Sequence, residues 1–162
     1  MQNINAKEIL EIAIQNEKNG AKFYSKLIDM TKHDDVKEAL KILVKDENNH
    51  ISIIKGLLND LLEEGNELSY YDDPEELLYL QSIAGSVLFS DDPASTFEVK
   101  VALDDVFAAL HYAVGVEIKS IEFYKQVLQV MPPNSGQELV EKLIEQEKGH
   151  VNSIYAMIKR HE

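Results

Sequence analysis

Two pairs of a glutamate and a histidine carry the most distinctive chemistry of this sequence. Glu47 and His50 form the first pair, and Glu147 and His150 repeat it 100 residues later. On a helix, residues three positions apart are neighbours on adjacent turns, so the carboxylate and the imidazole of a pair point the same way. Both groups are good ligands for iron, manganese or zinc. Each pair is therefore a candidate for half of a helix-borne metal site.

The repeat extends upstream of each pair and adds a lone glutamate to each copy. Glu17 is followed seven residues later by Tyr24, and Glu117 is followed at the same spacing by Tyr124. The chain thus contains two copies of one helical pair, with the lone glutamate on the first helix and Glu-x-x-His on the second. The candidate metal ligands are Glu17, Glu47, His50, Glu117, Glu147 and His150.

Four long segments have apolar residues at helical spacing, and they predict the elements that position these ligands. In every segment the candidate ligands lie within the apolar stripe, on the face that a folded protein buries. The predicted helices cover approximately residues 4–30, 35–64, 104–131 and 135–161. The fourth is expected to begin in a capping box from Ser135 to Glu138.

The loops between these segments define the expected fold class. Short loops precede the second and fourth helices, so each copy should be an antiparallel hairpin. The connection over residues 65–103 contains a predicted short helix from Pro74 to about Val87, and it could also serve as a dimerisation or lid element. We expect it to run back along the bundle and to start the second hairpin at the same end as the first. The prediction is an all-α, ferritin-like four-helix bundle of two helical hairpins with one long crossover.

The burial of four glutamates requires a source of positive charge, because a buried carboxylate without compensation is strongly unfavourable. The four stripes provide no facing lysine or arginine. Two divalent cations would balance the four carboxylates, and two neutral imidazoles would complete the ligand set, as in di-iron and di-manganese bundles. From the approximate two-fold symmetry we expect Glu47 and Glu147 to bridge the metals, Glu17 and Glu117 to bind terminally, and each histidine to bind one metal.

Two tyrosines and three further histidines need an interpretation. Tyr24 and Tyr124 lie two turns beyond a lone glutamate on the same face, so they could hydrogen-bond ligand carboxylates across the bundle. The alternative is an ordinary core tyrosine with a polar tip. We interpret three histidines as non-ligands: His33 in a predicted loop, His111 off the ligand line of its helix, and His161 at the C-terminal end.

The composition limits the classes of function. A length of 162 residues suits one domain, over residues 1–162. No run of about 18 apolar residues is present to span a bilayer, and the first residues do not resemble a cleavable signal, so we expect a cytoplasmic protein without a membrane partner. The formal net charge of −13 argues against nucleic acid as a partner. The absence of cysteine excludes thiolate chemistry and cysteine-ligated iron within the chain.

The Glu-x6-Tyr and Glu-x-x-His motifs, repeated in this order, resemble those of the rubrerythrin branch of the ferritin-like superfamily. The resemblance implies a non-haem di-iron protein that reacts with hydrogen peroxide or dioxygen, cycling between diferrous and diferric states, usually as a homodimer. Rubrerythrins also have a rubredoxin domain with four cysteines, which this chain lacks, so a peroxidase would need a separate electron donor such as a rubredoxin. They have a further glutamate where this sequence has Ser120, which makes this site more symmetric and closer to a ferroxidase centre.

Three functional hypotheses follow from these motifs. The first is a non-haem di-iron oxidoreductase that reduces hydrogen peroxide, or dioxygen, with electrons from a separate donor. The second is an iron-binding or ferroxidase protein without peroxidase turnover. The third places manganese or zinc in the same ligand set with a regulatory or structural role, because ligand type does not separate these metals well.

Overall fold

The structure, a computed structural model, describes residues 6–63, 106–131 and 136–162. These residues form four α-helices and no strand. In chain order the helices are α1 (Ala6–Met30), α2 (Asp34–Glu63), α3 (Val106–Val130) and α4 (Gln137–His161). The predicted all-α four-helix fold class is confirmed. The predicted crossover over residues 65–103, with its short helix from Pro74 to about Val87, lies outside the described residues.

Helix α4 starts at a glycine and not at the predicted serine cap. Gly136 is the N-cap residue, and no side chain caps the helix by a hydrogen bond. Its φ of 88° lies in the left-handed region, which glycine adopts without steric cost. A Cβ atom at this position would lie 2.4 Å from Leu57 Cδ2 at the end of α2. The helix thus has its N-cap one residue after the predicted Ser135, which lies outside the described residues. The close approach to Leu57 and the positive φ explain why glycine suits this position.

The helices form two hairpins that pack side by side. Helix α1 packs along α2 and α3 packs along α4, while α1–α3 and α2–α4 contacts join the hairpins. At one end of the bundle, Arg160 near the end of α4 pairs with Asp35 at the start of α2. At the other end, the start of α4 lies against Leu57. Helices α2 and α4 are therefore antiparallel.

Helices α1 and α3 are antiparallel as well. The hydroxyl of Tyr24 contacts Glu117, and the hydroxyl of Tyr124 contacts Glu17, so late positions on one helix meet early positions on the other. Helix α3 therefore starts at the end where α1 finishes. The expectation that both hairpins start at the same end is wrong. Because α2 ends at the end where α1 begins, a connection that runs the length of the bundle brings α3 to the opposite end.

The core is built from the apolar stripes of all four helices. Burial of each large aliphatic side chain contributes about 1.5–3 kcal/mol, and every helix supplies several of them. The best buried leucines and isoleucines, at most 2% exposed, include Leu27, Leu40, Leu43, Ile54, Leu110, Leu143 and Ile154. The exposed positions of each helix are mainly polar. Accordingly, no helix in the described part of the chain combines the length and hydropathy needed to cross a bilayer.

Candidate metal centre

The six predicted ligands come together in the middle of the bundle, each supplied by an apolar stripe. Helix α1 supplies Glu17, α2 supplies Glu47 with His50, α3 supplies Glu117, and α4 supplies Glu147 with His150. All six side chains are buried, with residue exposures of 3% or less. Potential ligand atoms of the six form two overlapping groups of four residues, and the atoms within a group lie within 4.8 Å of one another.

The first group surrounds the imidazole of His50. Its Nδ1 atom lies 3.1 Å from Glu17 Oε2 and 3.1 Å from Glu147 Oε1. Glu47 Oε2 is further away, at 3.9 Å. This group therefore combines three carboxylates and one imidazole from three different helices.

The second group surrounds the imidazole of His150. Its Nδ1 atom lies 2.9 Å from Glu147 Oε2, 3.2 Å from Glu47 Oε1 and 3.7 Å from Glu117 Oε1. The rings of His50 and His150 stack with centroids 5.2 Å apart and an interplanar angle of 19°. Glu47 and Glu147 belong to both groups. The arrangement is thus two adjacent sets of four donors that share two carboxylates.

Several of these converging atoms make no hydrogen bond. Within the described residues, Glu47 Oε1, Glu147 Oε2 and both nitrogens of His150 are buried without a hydrogen-bond partner, although carboxylate oxygens lie within ion-pair distance of His150. Buried polar atoms are normally hydrogen-bonded, so a set of oxygens and nitrogens that face one another without bonding needs another partner. A cation bound among them would satisfy these atoms, and the donor set fits a metal ion.

The electrostatics of the carboxylates lead to the same conclusion. Burial, with Glu17 and Glu147 close by, raises the pKa of Glu47 well above its ordinary value. Burial and the Glu147 carboxylate likewise raise the pKa of Glu117 to about 8. Burial would also raise the pKa of Glu147, but the neighbouring imidazoles of His150 and His50 outweigh it and lower that pKa. Without a cation, the site must therefore hold protons to limit the repulsion among its carboxylates.

The histidines show the complementary effect. Burial disfavours a charged imidazole, but Glu147 and Glu17 outweigh this and raise the pKa of His50 to about 10. The pKa of His150 is raised in the same way, by Glu117, Glu147 and Glu47. A metal ligand must be a neutral imidazole, so metal binding has to release these protons.

Two tyrosines contact the lone glutamates reciprocally. The hydroxyl of Tyr24 donates to Glu117 Oε1, and the hydroxyl of Tyr124 donates to Glu17 Oε1. Burial, followed by the charge of the same glutamates, raises the pKa of both phenols, so both remain donors at neutral pH. The structure thus places both tyrosines as hydrogen-bonding partners of candidate ligands.

Two residues next to the ligands were missed by the sequence interpretation. Asp46 Oδ2 lies 3.5 Å from Nε2 of His150. The repeat places Gln146 at the position that corresponds to Asp46, and both Gln146 Oε1 and His50 Nε2 are buried without a hydrogen-bond partner in the described helices. The signal was available in the repeat, because each residue directly precedes the glutamate of its Glu-x-x-His pair.

Ser120 lies in the core between α1 and α3 and is 1% exposed. It accepts a hydrogen bond of 3.2 Å from Asn16 Nδ2. The repeat counterparts of these two residues are Gly20 and Val116, which cannot make this bond. The position that carries the further glutamate in rubrerythrins is therefore used here for a contact between helices, on one side of the site only.

The fold is similar to that of known structures. A ferritin-like diiron-carboxylate protein, as it is described, from Thermotoga maritima has a TM-score of 0.68 at 21% identity, covering 100% of this chain and 99% of its own. A hypothetical protein from Pyrococcus furiosus has a TM-score of 0.67 at 20% identity, covering 94% of this chain and 87% of its own. At these identities the similarity shows the ferritin-like fold alone.

The sequence itself identifies the family. No curated protein matches the chain. The family model for rubrerythrin matches residues 8–159, which include all six candidate ligands and both tyrosines. The chain contains no cysteine, so these residues include no rubredoxin-type iron site. Because the match extends over nearly the whole sequence, this chain belongs to the rubrerythrin family.

Proposed function

We propose that this protein is a non-haem di-iron oxidoreductase that reduces hydrogen peroxide, or dioxygen, with electrons from a separate donor. The observation that carries the proposal is the pair of overlapping four-residue groups, in which Glu47 and Glu147 belong to both. Membership of the rubrerythrin family supports iron as the metal. The similarity to a ferritin-like diiron-carboxylate protein agrees with this.

The overlap of the two groups supports a specific role for each ligand. Glu47 and Glu147 would bridge two metal ions, since each contributes to both groups. Glu17 with His50 would bind one ion, and Glu117 with His150 would bind the other.

A pair of bound ferrous ions would supply the two electrons that cleave the O–O bond of hydrogen peroxide, which with two protons gives two water molecules. The chain's own contribution is to hold the ligands in place and to keep water out. Tyr124 holds one oxygen of Glu17 while the other oxygen faces His50. The aliphatic stripes around the site exclude bulk solvent, which strengthens each electrostatic contact.

The two electrons must be replaced after each turnover. The chain has no cysteine for an iron–sulfur or rubredoxin-type centre. We therefore include a separate reductant, such as a rubredoxin, in the proposal. Peroxide and the reductant are the partners that this function requires.

Stopped-flow spectroscopy of the anaerobic, Fe(II)-loaded protein tests the proposal. We expect hydrogen peroxide to oxidise the iron faster than air-saturated buffer does, and an added electron donor to sustain turnover. Glu147→Ala should abolish this oxidation, whereas Glu145→Ala should not, because Glu145 lies on the exposed face of the same helix. Rapid oxidation by air with little response to peroxide would contradict the proposal.

A second candidate is a ferroxidase or iron-binding protein without peroxidase turnover. Ser120 favours this candidate, because it stands where rubrerythrins have a seventh carboxylate. Without that carboxylate, the two groups of metal-binding atoms have the same composition, three glutamates and one histidine each. In this case dioxygen would oxidise the iron readily and an electron donor would not sustain peroxide consumption. Metal analysis of protein purified without oxygen also tests for manganese or zinc in place of iron.

A further inference from the structure

The three histidines interpreted from the sequence as non-ligands do lie outside the buried centre, and all three are found at one end of the bundle. His33 is in the turn between α1 and α2, and His161 is the last residue of α4. Their rings are 4.4 Å apart between centroids. His111 on α3 is close by, with its Nε2 atom 4.0 Å from Oε1 of Glu162. Residues that are far apart in sequence thus form an imidazole-rich surface.

Asp35 completes a compact donor set with two of these histidines. Its Oδ2 atom lies 2.9 Å from Nε2 of His161. One potential ligand atom from each of His33, Asp35 and His161 lies within 4.8 Å of the others. We call these three residues the peripheral cluster. It is separate from the central site, with which it shares no residue.

The surrounding structure holds the cluster in place. The backbone N–H of His33 donates to Thr31 Oγ1 at 3.2 Å, and the carbonyl of His33 accepts from the N–H of Lys37 at 3.0 Å. The ring of Phe107 packs against both imidazoles, with centroids 5.5 Å from His33 and 5.3 Å from His161. The two histidines therefore share an apolar support that limits their orientations.

We propose that His33, Asp35 and His161 form a peripheral binding site for a divalent transition-metal ion such as Zn²⁺. Two imidazoles and one carboxylate are a common three-residue ligand set for zinc, with a fourth position left to solvent. The central site has four carboxylates for two imidazoles, whereas the peripheral cluster has one carboxylate for two. The nitrogen-rich set favours zinc, nickel or copper more than manganese. A bound ion would join the α1–α2 turn to the end of α4.

Arg160 is the main competitor for the carboxylate. Its Nη1 atom lies 3.2 Å from the same oxygen of Asp35 that contacts His161. The arginine side chain is 63% exposed, so it can move into solvent when an ion binds. We therefore expect Arg160→Gln to strengthen ion binding by a few fold.

Isothermal titration of the full chain with Zn²⁺ tests the site, with far-UV circular dichroism as the check on folding. Wild type should bind one equivalent more than His33→Ala or His161→Ala, while all three keep the equivalents that belong to the central site. Asp35→Asn should weaken the additional equivalent by at least about tenfold. His111→Ala is the matched control, because His111 lies at the same end but outside the cluster, and it should keep the wild-type stoichiometry.

A second measurement uses the unmodified sequence and so does not depend on how a variant folds. Bound Zn²⁺ should protect His33 and His161 from modification by diethyl pyrocarbonate, while His111 stays reactive. Mass spectrometry measures the modification of each histidine. Equal stoichiometry in wild type and His33→Ala, or equal protection of all three histidines, would overturn the proposal in favour of unspecific surface binding. The result is independent of the redox activity of the central site.

Discussion

At the scale of single residues, the two halves of the central site differ in the side chain behind each histidine. Asp46 lies beside His150, whereas the residue at the equivalent position of the repeat, on α4, is Gln146. A carboxylate behind a metal-bound imidazole raises the basicity of that ligand more than an amide does. We therefore expect the metal ion bound by His150 to be held more tightly than the ion bound by His50.

Replacing Asp46 tests this difference. We expect Asp46→Asn to weaken the binding of one of the two central metal ions by about tenfold and to leave the other nearly unchanged, because the Asp46 carboxylate lies beside His150. A titration with Co²⁺, followed by visible absorption, should change from two phases to one. Asp60→Asn, on the exposed face of the same helix, is the control. Equal weakening of both ions would refute the assigned role of Asp46.

The two buried tyrosines give a second prediction at this scale. Tyr24→Phe and Tyr124→Phe each remove one donor to a terminal glutamate, so each should lower metal affinity by roughly 10–100-fold. The repeat predicts effects of similar size for the two substitutions. Competition with a chelator measures the affinities. Tyr155 is 50% exposed, so Tyr155→Phe should leave the metal affinity unchanged. An unchanged affinity in Tyr24→Phe would count against the contact with Glu117.

The sequence predicted the six candidate ligands because their signal is local and repeated. Glu-x-x-His needs only the geometry of one helix to be recognised. The role of Asp46 was not predicted, because its contact with His150 joins α2 to α4. The spacing of residues within one helix does not determine a contact between two helices. The contact between His33 and His161 was not predicted for the same reason.

At the scale of the helices, the direction of α3 is the main correction to the sequence prediction. The seven residues from Glu17 to Tyr24 span about 10.5 Å along a helix. Two helices with the same Glu-x6-Tyr spacing can pair each tyrosine with the other helix's glutamate only if they are antiparallel. Reciprocal pairing of the two motifs therefore predicts that α3 is antiparallel to α1. The length of the crossover does not predict the direction of α3, because a long connection can reach either end of the bundle.

The junction of α2 and α4 gives a prediction at this scale. Gly136→Ala places a methyl group against Leu57 and forces alanine into the left-handed region, so it should destabilise the protein by roughly 1–2 kcal/mol. Gly56 is the matched control, because a Cβ there meets no atom within 4 Å on an exposed helix face. Gly56→Ala should stabilise by roughly 0.5–1 kcal/mol. Urea denaturation measures both changes in stability. A stabilising Gly136→Ala would contradict the close contact of Gly136 with Leu57 and its positive φ.

At the scale of the whole molecule, the four helices pack around a site that destabilises the folded state when no cation is bound. The apolar stripes supply the favourable burial, and the carboxylates in their middle oppose it. Stability should therefore depend on metal and pH together. The expected homodimer and cytoplasmic location stay predictions from the resemblance and the composition, and light scattering tests the first of them.

The direction of the pH dependence follows from the raised pKa values. The pKa of Glu117 rises from 4.5 to about 8 and that of His50 from 6.5 to about 10, so the folded state binds these protons more tightly than the unfolded state. Their contribution to stability is full below the unfolded values and is lost as pH rises through about 8 and about 10. The pKa of Glu147 is lowered, so its contribution is constant above 4.5.

Thermal unfolding with and without a redox-inert metal tests this dependence. Between pH 6.5 and about 9, the melting temperature of the protein in the presence of a chelator should fall, because in this range the folded state binds more protons at Glu117 and His50 than the unfolded state does. With Mn²⁺ or Zn²⁺ bound, the fall should be smaller, since the metal replaces those protons. His111→Ala should leave this difference unchanged. Parallel curves with and without metal would show that the central residues bind no cation.

The location of bound iron is the most direct test of the central claim, that six residues from four helices form one dinuclear site. Anomalous diffraction at the iron edge, from crystals of the Fe(II)-loaded protein, would show it. We expect two adjacent peaks, one among Glu17, Glu47, His50 and Glu147, and one among Glu47, Glu117, Glu147 and His150. A single peak, or peaks away from Glu47 and Glu147, would contradict it.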